Sequence, residues 1–470
     1  MKNRIKQYLL AASMCVGLTA CSDFFEPIPG VQFGLDETFA SKQRTEEYLN
    51  NVYSYVREVT DAIHPNTYGG IFTEASLDGA NRWNKTYAEW TNGSFNSASA
   101  QASEYFSKYY QAIAKASTFI QNVDKCTEAA ASTRGKWKSE ARALRAYYYF
   151  ELLRLYGPIP LIGEDPIPLD ASLEELIKER NSVDECVNFI ATELQSAIDS
   201  GDLLQRAGKA NLGRMDVATC MALKAKLYLY WASPLFNGNT DQASVKNKDG
   251  KQLFPQTEDN SKWAQARDAY ERFMTFATGQ GYKLTEVYTN GKLDPYASCR
   301  AAGEFFTTTW EAVDELIFVK LRDLYDYTYW VCPKFTDFQD TDVTGGGGYY
   351  TTQETVDLFF TKDGLTIEED PGYDKFEGIP SANNFTSGRY YDPNNPSRLY
   401  FDADKSKVLK QWKDREPRFY VNITYSGSIW LNEGKYNEEM RTDFTNGANG
   451  TCGKSKASGD CPDSGYLIRR

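Results

Sequence analysis

Apolar positions recur at three- and four-residue steps through most of the first 280 residues, which predicts a succession of amphipathic helices. Over Ser41–Val56 the pattern puts Tyr48, Leu49, Val52 and Val56 on one face. Over Ser103–Lys125 it gathers Phe106, Tyr110, Ile113, Phe119 and Ile120. The strongest signal is Ser139–Ile162, where Ala141, Leu144, Tyr148, Leu152 and Leu155 form one stripe. Gly157 is placed to close that helix, and Pro158 and Pro160 forbid its continuation, so it should leave through a rigid extended exit. Ser182–Ser200 repeats the pattern with Val187, Ile190, Leu194 and Ile198. Asp216 is placed as an N-cap for a helix that turns Ala218, Met221, Ala222, Ala225 and Leu229 inward and stops at Pro234. Ser261–Thr278 presents Trp263, Ala266, Tyr270 and Phe273. Paired helices with small residues at their contacts suggest tetratricopeptide-like hairpins, which bury their faces by stacking on neighbours.

From about Gly281 to Leu431 the periodicity gives way to Gly, Asp, Asn, Thr and aromatics, with short strand-like pieces such as Val421–Tyr425. The expected fold class is therefore mainly α: a scaffold of helical hairpins carrying a large irregular, loop-rich region with short strands. Long irregular segments on a rigid scaffold usually carry binding function. Gly345–Gly348 has no Lys-Ser/Thr after it, so a phosphate loop is rejected and a flexible loop is expected.

The N-terminus changes the picture from fold to location. Lys2, Arg4 and Lys6 precede an uncharged apolar run, Tyr8–Ala20, which is too short to span a bilayer and has the form of a secretory signal. It ends Leu18-Thr19-Ala20-Cys21, the pattern of a bacterial lipoprotein cleavage site. Cleavage there leaves the Cys21 thiol to receive diacylglycerol, and two or more acyl chains make a stable anchor. The acidic, aromatic start Ser22-Asp23-Phe24-Phe25-Glu26 resembles the surface-export signal of Bacteroidetes lipoproteins. The protein is thus expected at the cell outer membrane, lipid-anchored and facing outward.

Charge and composition then narrow the partners. The formal charge is −12, and residues 1–20 hold three cations and no acid, so a chain matured at Cys21 stands at −15. An acidic body argues against nucleic acid. Tyr (32), Phe (26) and Trp (9) exceed what a core alone requires and suit stacking on the C–H faces of sugars. Of the cysteines left after processing, Cys452 and Cys461 flank a short Gly/Ser/Lys loop and are the candidate disulfide. Cys126, Cys186 and Cys220 lie in helical patterns and are expected as buried thiols. With no CxxC, a zinc site is not expected.

Several segments carry a family resemblance. Ser139–Ile162 reads SEARALRAYYYFELLRLYGPIPLI, Ala222–Gly238 reads ALKAKLYLYWASPLFNG, and Thr352–Gly364 reads TQETVDLFFTKDG. Glu416–Tyr425 is EPRFYVNITY and Ser464–Arg470 is SGYLIRR. In this order they resemble the motifs of the SusD/RagB family of outer-membrane nutrient-binding lipoproteins, with Glu416 where the family usually has Asp. The resemblance implies residues 1–20 as signal peptide, 21–40 as tether, 41–280 as the helical region and 281–470 as the loop-rich region. It also implies a further C-terminal helix pair that this sequence lacks, so an apolar helix face is expected to be left uncovered and the isolated chain to be poorly stable.

The resemblance further implies a non-enzymatic binder of oligosaccharide, without cofactor, seated as a lid on a SusC-like TonB-dependent transporter. Two loop groups combine aromatics with polar neighbours and are the candidate ligand residues: Asn66, Tyr68, Asp78, Arg82 and Trp83, and Asp326, Tyr327, Tyr329 and Trp330. Trp83 ranks first, since Asn81, Arg82 and Asn84 surround it. A peptide cargo on the same fold and an adaptor that binds only its transporter are the alternatives. The single histidine, His64, leaves hydrolytic triads without a general base, and a carboxylate-pair hydrolase ranks last. Asp337, Asp340 and Asp342 lack a full calcium-loop pattern and are expected as a solvated turn.

Overall fold

The computed structural model describes residues 34–56, 76, 78–82, 89, 92–163, 167, 171–303, 314–320, 331–334, 345–375, 378–430, 442, 444, 452 and 461–469. Its scaffold is a run of helices: α1 (Leu35–Ala40), α2 (Lys42–Tyr53), α3 (Ala100–Asn122), α4 (Ala131–Tyr156), α5 (Leu173–Leu176), α6 (Val183–Asp199), α7 (Val217–Ala232) and α8 (Ser261–Gly279). The long helices pack on their sequence neighbours in turn, α3 on α4, α4 on α6, α6 on α7 and α7 on α8. This is the expected hairpin stack.

The central helix differs from its sequence expectation in two ways. It begins at Ala131, eight residues before the motif, and it is not amphipathic. Every residue from Ala143 to Leu153 is buried. Helices α3 and α6 both pack on α4, and α2 adds a third contact, so little of its surface faces water. Its end is as expected. Gly157 takes φ +68°, and a Cβ there would stand 3.0 Å from Phe254 Cζ, so both conformation and space call for glycine.

The caps read from sequence are present. Asp216 accepts from the Thr219 backbone N–H at 2.7 Å, and α7 stops at Ala232, two residues before Pro234. Three residues expected inward are instead exposed. Trp263 lies 42% exposed on α8, whose only major packing partner among the described residues is α7. Leu229 lies on the outer side of α7 at 39%, and Phe106 packs at the surface against Tyr110 and Tyr156. Cys126, Cys186 and Cys220 are buried thiols, as expected.

At the start of α6 a capping box links Ser182 and Glu185. The Ser182 N–H reaches Glu185 Oε2 at 2.7 Å, and Lys251 Nζ reaches the same carboxylate at 2.7 Å. The Lys251 contact first, and the Ser182 N–H second, pull the Glu185 pKa down to about 2 from 4.5. A depressed folded pKa contributes stability above pH 4.5 that is lost as pH falls toward 2. Glu185→Gln should therefore flatten the acid limb of stability between those values, as read from melts at stepped pH. The effect is small because the pair is solvent-screened, and an unchanged limb would remove the assignment.

Beyond α8 come β2 (Tyr288–Thr289), β3 (Lys292–Leu293), α9 (Pro295–Gly303), α10 (Gln353–Asp357), the hairpin β5 (Arg389–Asp392) and β6 (Asn395–Asp402), and α11 (Pro417–Asn422). The strand expected at Val421–Tyr425 is shorter, because α11 runs through Asn422 and leaves β7 as Ile423–Tyr425. A second core forms here, rich in rings: Tyr296, Tyr400, Phe401, Trp412, Phe419, Tyr420, Tyr425 and Tyr466 are all buried. Tyr400 and Tyr420 stack with centroids 4.0 Å apart. Much of the aromatic surplus in the loop-rich half is thus core. A four-stranded antiparallel sheet joins distant parts of the chain in the order β1 (Ala80–Asn81), β4 (Tyr349–Tyr350), β8 (Tyr466–Ile468), β7.

Candidate functional site

Two segments carry the candidate ligand residues, and their described flanks meet at two places. The first leaves the scaffold after Val56 and returns at β1. The second leaves after Lys320 and returns at β4. At the outgoing end Lys320 Nζ donates to the Val56 carbonyl at 2.5 Å and to the Ser54 carbonyl at 3.4 Å. A cation there also complements the negative end of α2. At the returning end β1 pairs with β4, Ala80 opposite Tyr350 and Asn81 opposite Tyr349, and the Arg82 N–H donates to the Gly348 carbonyl at 3.0 Å.

A hollow of about 220 Å³ opens at the outgoing end, lined in part by Asn50, Tyr53, Val56, Arg214, Phe318 and Lys320. Its floor is a tied polar cluster. The Tyr53 hydroxyl donates to Glu140 Oε2 at 2.9 Å and accepts from the Met215 N–H at 2.9 Å. Burial, and then Glu140, push the Tyr53 hydroxyl far above its ordinary pKa. Burial also raises the Glu140 carboxyl, against the pull of Arg214, whose Nε stands 3.4 Å away. Gly213 lets the chain pass: at φ +84°, a Cβ would come within 2.8 Å of the Val319 carbonyl oxygen.

At the returning end Arg82 is a clamp. Its Nη1 donates to Asp463 Oδ1 at 2.7 Å, to the Cys461 carbonyl at 3.1 Å and to Cys461 Sγ at 3.7 Å. Asp78, nominated with it, is exposed and accepts from Ser76 Oγ at 3.0 Å. Asn66, Tyr68, Trp83, Asp326, Tyr327, Tyr329 and Trp330 lie outside the described residues, as do Cys21, His64 and the three aspartates Asp337, Asp340 and Asp342. What the structure brings together is the roots of both candidate groups. Trp83 follows the Arg82 clamp directly, and Trp330 precedes the buried Val331.

One sequence expectation changes at this end. Gly345–Gly348 is not a free loop. All four residues are buried, and Gly345 and Gly347 donate to the carbonyls of Pro333 and Cys332 at 3.1 and 2.9 Å. Cys452 and Cys461 are both buried, with the Cys461 sulfur turned to Arg82. Lys320 was not legible as a functional residue, because its partner carbonyl is 264 positions away. The Arg82–Asp463 contact spans 381 positions, and only the adjacent SGYLIRR motif hinted at that segment's importance.

Among the described residues no group of three or more His, Cys, Asp or Glu side chains stands together as a metal site, and no helix is long and apolar enough to cross a membrane. The arrangement suits holding the described flanks of the two segments together.

Residues 32–229 match the family model described as "Starch-binding associating with outer membrane", and residues 315–470 match the one described as "SusD family". A curated SusD-like protein of Bacteroides ovatus is 27% identical over 175 residues, 36% of this chain and 30% of that relative. The match therefore spans under a third of the relative's length. Among solved structures, one titled BT4246 superposes with a TM-score of 0.71 at 24% identity, covering 91% of this chain and 72% of that one. A SusD-like protein from Bacteroides fragilis gives 0.63 at 19% identity, over 93% and 70%. A SusD-like carbohydrate binding protein from the same species gives 0.57 at 17%, over 92% and 68%. At these identities the structural likeness speaks for the fold.

Proposed function

The chain belongs to the SusD/RagB family, and from this premise we propose that it is a surface lipoprotein that binds oligosaccharide and hands it to a SusC-like TonB-dependent transporter for uptake across the outer membrane. SusD-like proteins are binding proteins, not enzymes, and the family description names starch binding and the outer membrane. The carrying observation is the double joining of the flanks of the two aromatic-bearing segments, by Lys320 at one end and by β1 with β4 at the other. Fixing both roots reduces the ordering entropy that a ligand would otherwise have to offset.

In this mechanism Trp83, Tyr68, Tyr327, Tyr329 and Trp330 offer flat rings to sugar faces, while Asn66, Asp78, Arg82 and Asp326 bond hydroxyls. Individually weak contacts suffice, because a lipid at Cys21 holds the binder beside its transporter at high effective concentration. The acidic body keeps the protein clear of an anionic surface.

Trp83→Ala is expected to weaken glycan binding at least tenfold, about 1.4 kcal/mol or more, with the melting temperature unchanged. Affinity electrophoresis on immobilised glycans, followed by calorimetry on the retained one, reads both. Undiminished retention would take Trp83 out of the site. A glycan array decides the cargo: binding to peptides alone would move the reading to a peptide carrier, and binding to neither, with the transporter still co-purifying, to an adaptor.

A further inference from the structure

Residues 314–320, which lead into the second candidate segment, form neither helix nor strand, yet they touch the scaffold at nearly every step. Asp314 Oδ1 accepts from Arg206 Nη2 at 2.8 Å, and Glu315 Oε2 accepts from the Thr285 N–H at 3.0 Å. The Ile317 carbonyl accepts from Thr219 Oγ1 of α7 at 3.4 Å, and the Phe318 ring stands edge-on to Tyr147 of α4, with centroids 6.2 Å apart. Lys320 then reaches the carbonyls of Ser54 and Val56 at the end of α2. The segment is a strap laid from the chain beyond α8, over α7 and α4, to the exit of α2. With no helix or strand of its own, it takes its path from these contacts.

The tightest of them is with Gly213, in the connection between α6 and α7. A Cβ there would stand 2.8 Å from the Val319 carbonyl oxygen, a backbone atom that cannot swing aside, so the two chains would have to part by about 0.6 Å to reach ordinary contact at 3.4 Å. Gly201 lies in the same connection and takes φ +73°, close to the +84° of Gly213, but nothing lies within 4 Å of its Cβ position. Both positions ask for glycine by conformation, and only Gly213 asks for it by space. On the proposed function, in which the second segment bears ligand groups, we propose that Gly213 is a positioning residue for cargo. Its missing side chain lets Val319 close on the α6–α7 connection, which carries Lys320 to Ser54 and Val56 and fixes where the second segment leaves the scaffold. Parting the chains at Gly213 shifts Lys320, one residue on from Val319, and a binding face built from two segments loses affinity when their spacing loosens.

The test compares the full wild-type chain with Gly213→Ala and Gly201→Ala. Both variants meet the same left-handed strain and should lose a few degrees of melting temperature. Calorimetry on the glycan that the wild type retains should show roughly tenfold weaker binding for Gly213→Ala and no change for Gly201→Ala. Lys320→Met should weaken binding as well, with Lys320→Arg restoring it, and this pair decides the matter if Gly213→Ala does not fold. Hydrogen exchange read by mass spectrometry needs no ligand: Gly213→Ala should raise exchange in residues 54–56 and 314–320, and Gly201→Ala should not. Wild-type affinity in Gly213→Ala or Lys320→Met, equal weakening by Gly201→Ala, or unchanged exchange in the strap would overturn the proposal. A wild type that holds no glycan counts against the proposed function alone, and the exchange comparison then decides the place of Gly213.

Discussion

Replacing Glu193 with alanine should destabilise the protein by about 3–5 kcal/mol, the cost of stranding a buried cation. Arg145 is fully buried in the middle of α4. Its Nε donates to Glu193 Oε2 at 2.8 Å, its Nη2 reaches the same oxygen, and its Nη1 donates to Ser117 Oγ at 3.1 Å. The other carboxylate oxygen accepts from Arg142 Nη1 at 2.9 Å. One glutamate on α6 thus satisfies two arginines on α4, and Ser117 brings in α3. A guanidinium cannot shed its proton to escape an apolar site, so without Glu193 it must drag in water or break the packing. The control is Arg145→Met with Glu193→Leu, which removes both charges and should cost far less than the single change. Urea unfolding followed by circular dichroism reads both. A loss under 1 kcal/mol for Glu193→Ala would show that the three-helix contact does not depend on this network.

Arg415→Ala is the second large effect, expected at about 3–4 kcal/mol. This side chain is 3% exposed and organises the second core by donating to carbonyl and hydroxyl oxygens. Nη2 reaches the carbonyls of Val356 and Phe359 at 2.6 and 2.7 Å, and Nη1 reaches the Tyr373 hydroxyl at 2.6 Å. The guanidinium also lies over the rings of Tyr373 and Phe419, 5.2 and 5.1 Å from their centroids. Removing it leaves buried carbonyls without donors and opens a gap against two rings. The near-ultraviolet signal of the aromatic core should fall, while the far-ultraviolet helix signal, which comes from α3 to α8, should hold. An unchanged near-ultraviolet spectrum would contradict the role given to Arg415.

How much of this was legible in the sequence depended on distance along the chain. Helix positions were, because capping and periodicity are local: Ser182, Asp216 and Gly157 each act within one turn. Which helix face met which neighbour was less so. The stripe in Ser139–Ile162 suggested one buried side, yet α4 packs against α2, α3 and α6, and a pattern within one segment cannot count its neighbours. Trp263 fails for the converse reason, since α8 sits at the outside of the stack among the described residues. At the candidate site, residue chemistry pointed to Trp83 through its polar flanks, but the contacts that set the loop roots, Lys320 with Val56 and Arg82 with Asp463, span hundreds of positions and have no local signature.

The strand order β1-β4-β8-β7 has a consequence for when the protein becomes functional. β8 sits between β4 and β7, so the sheet cannot close until Tyr466–Ile468 has been synthesised. The helical stack is built from neighbours in sequence and needs no such wait; contacts of low sequence separation form early, and those of high separation form late. A chain still being synthesised can therefore hold its helical stack while this sheet is unassembled. On the proposed function, the ligand face is completed only as β8 docks between β4 and β7.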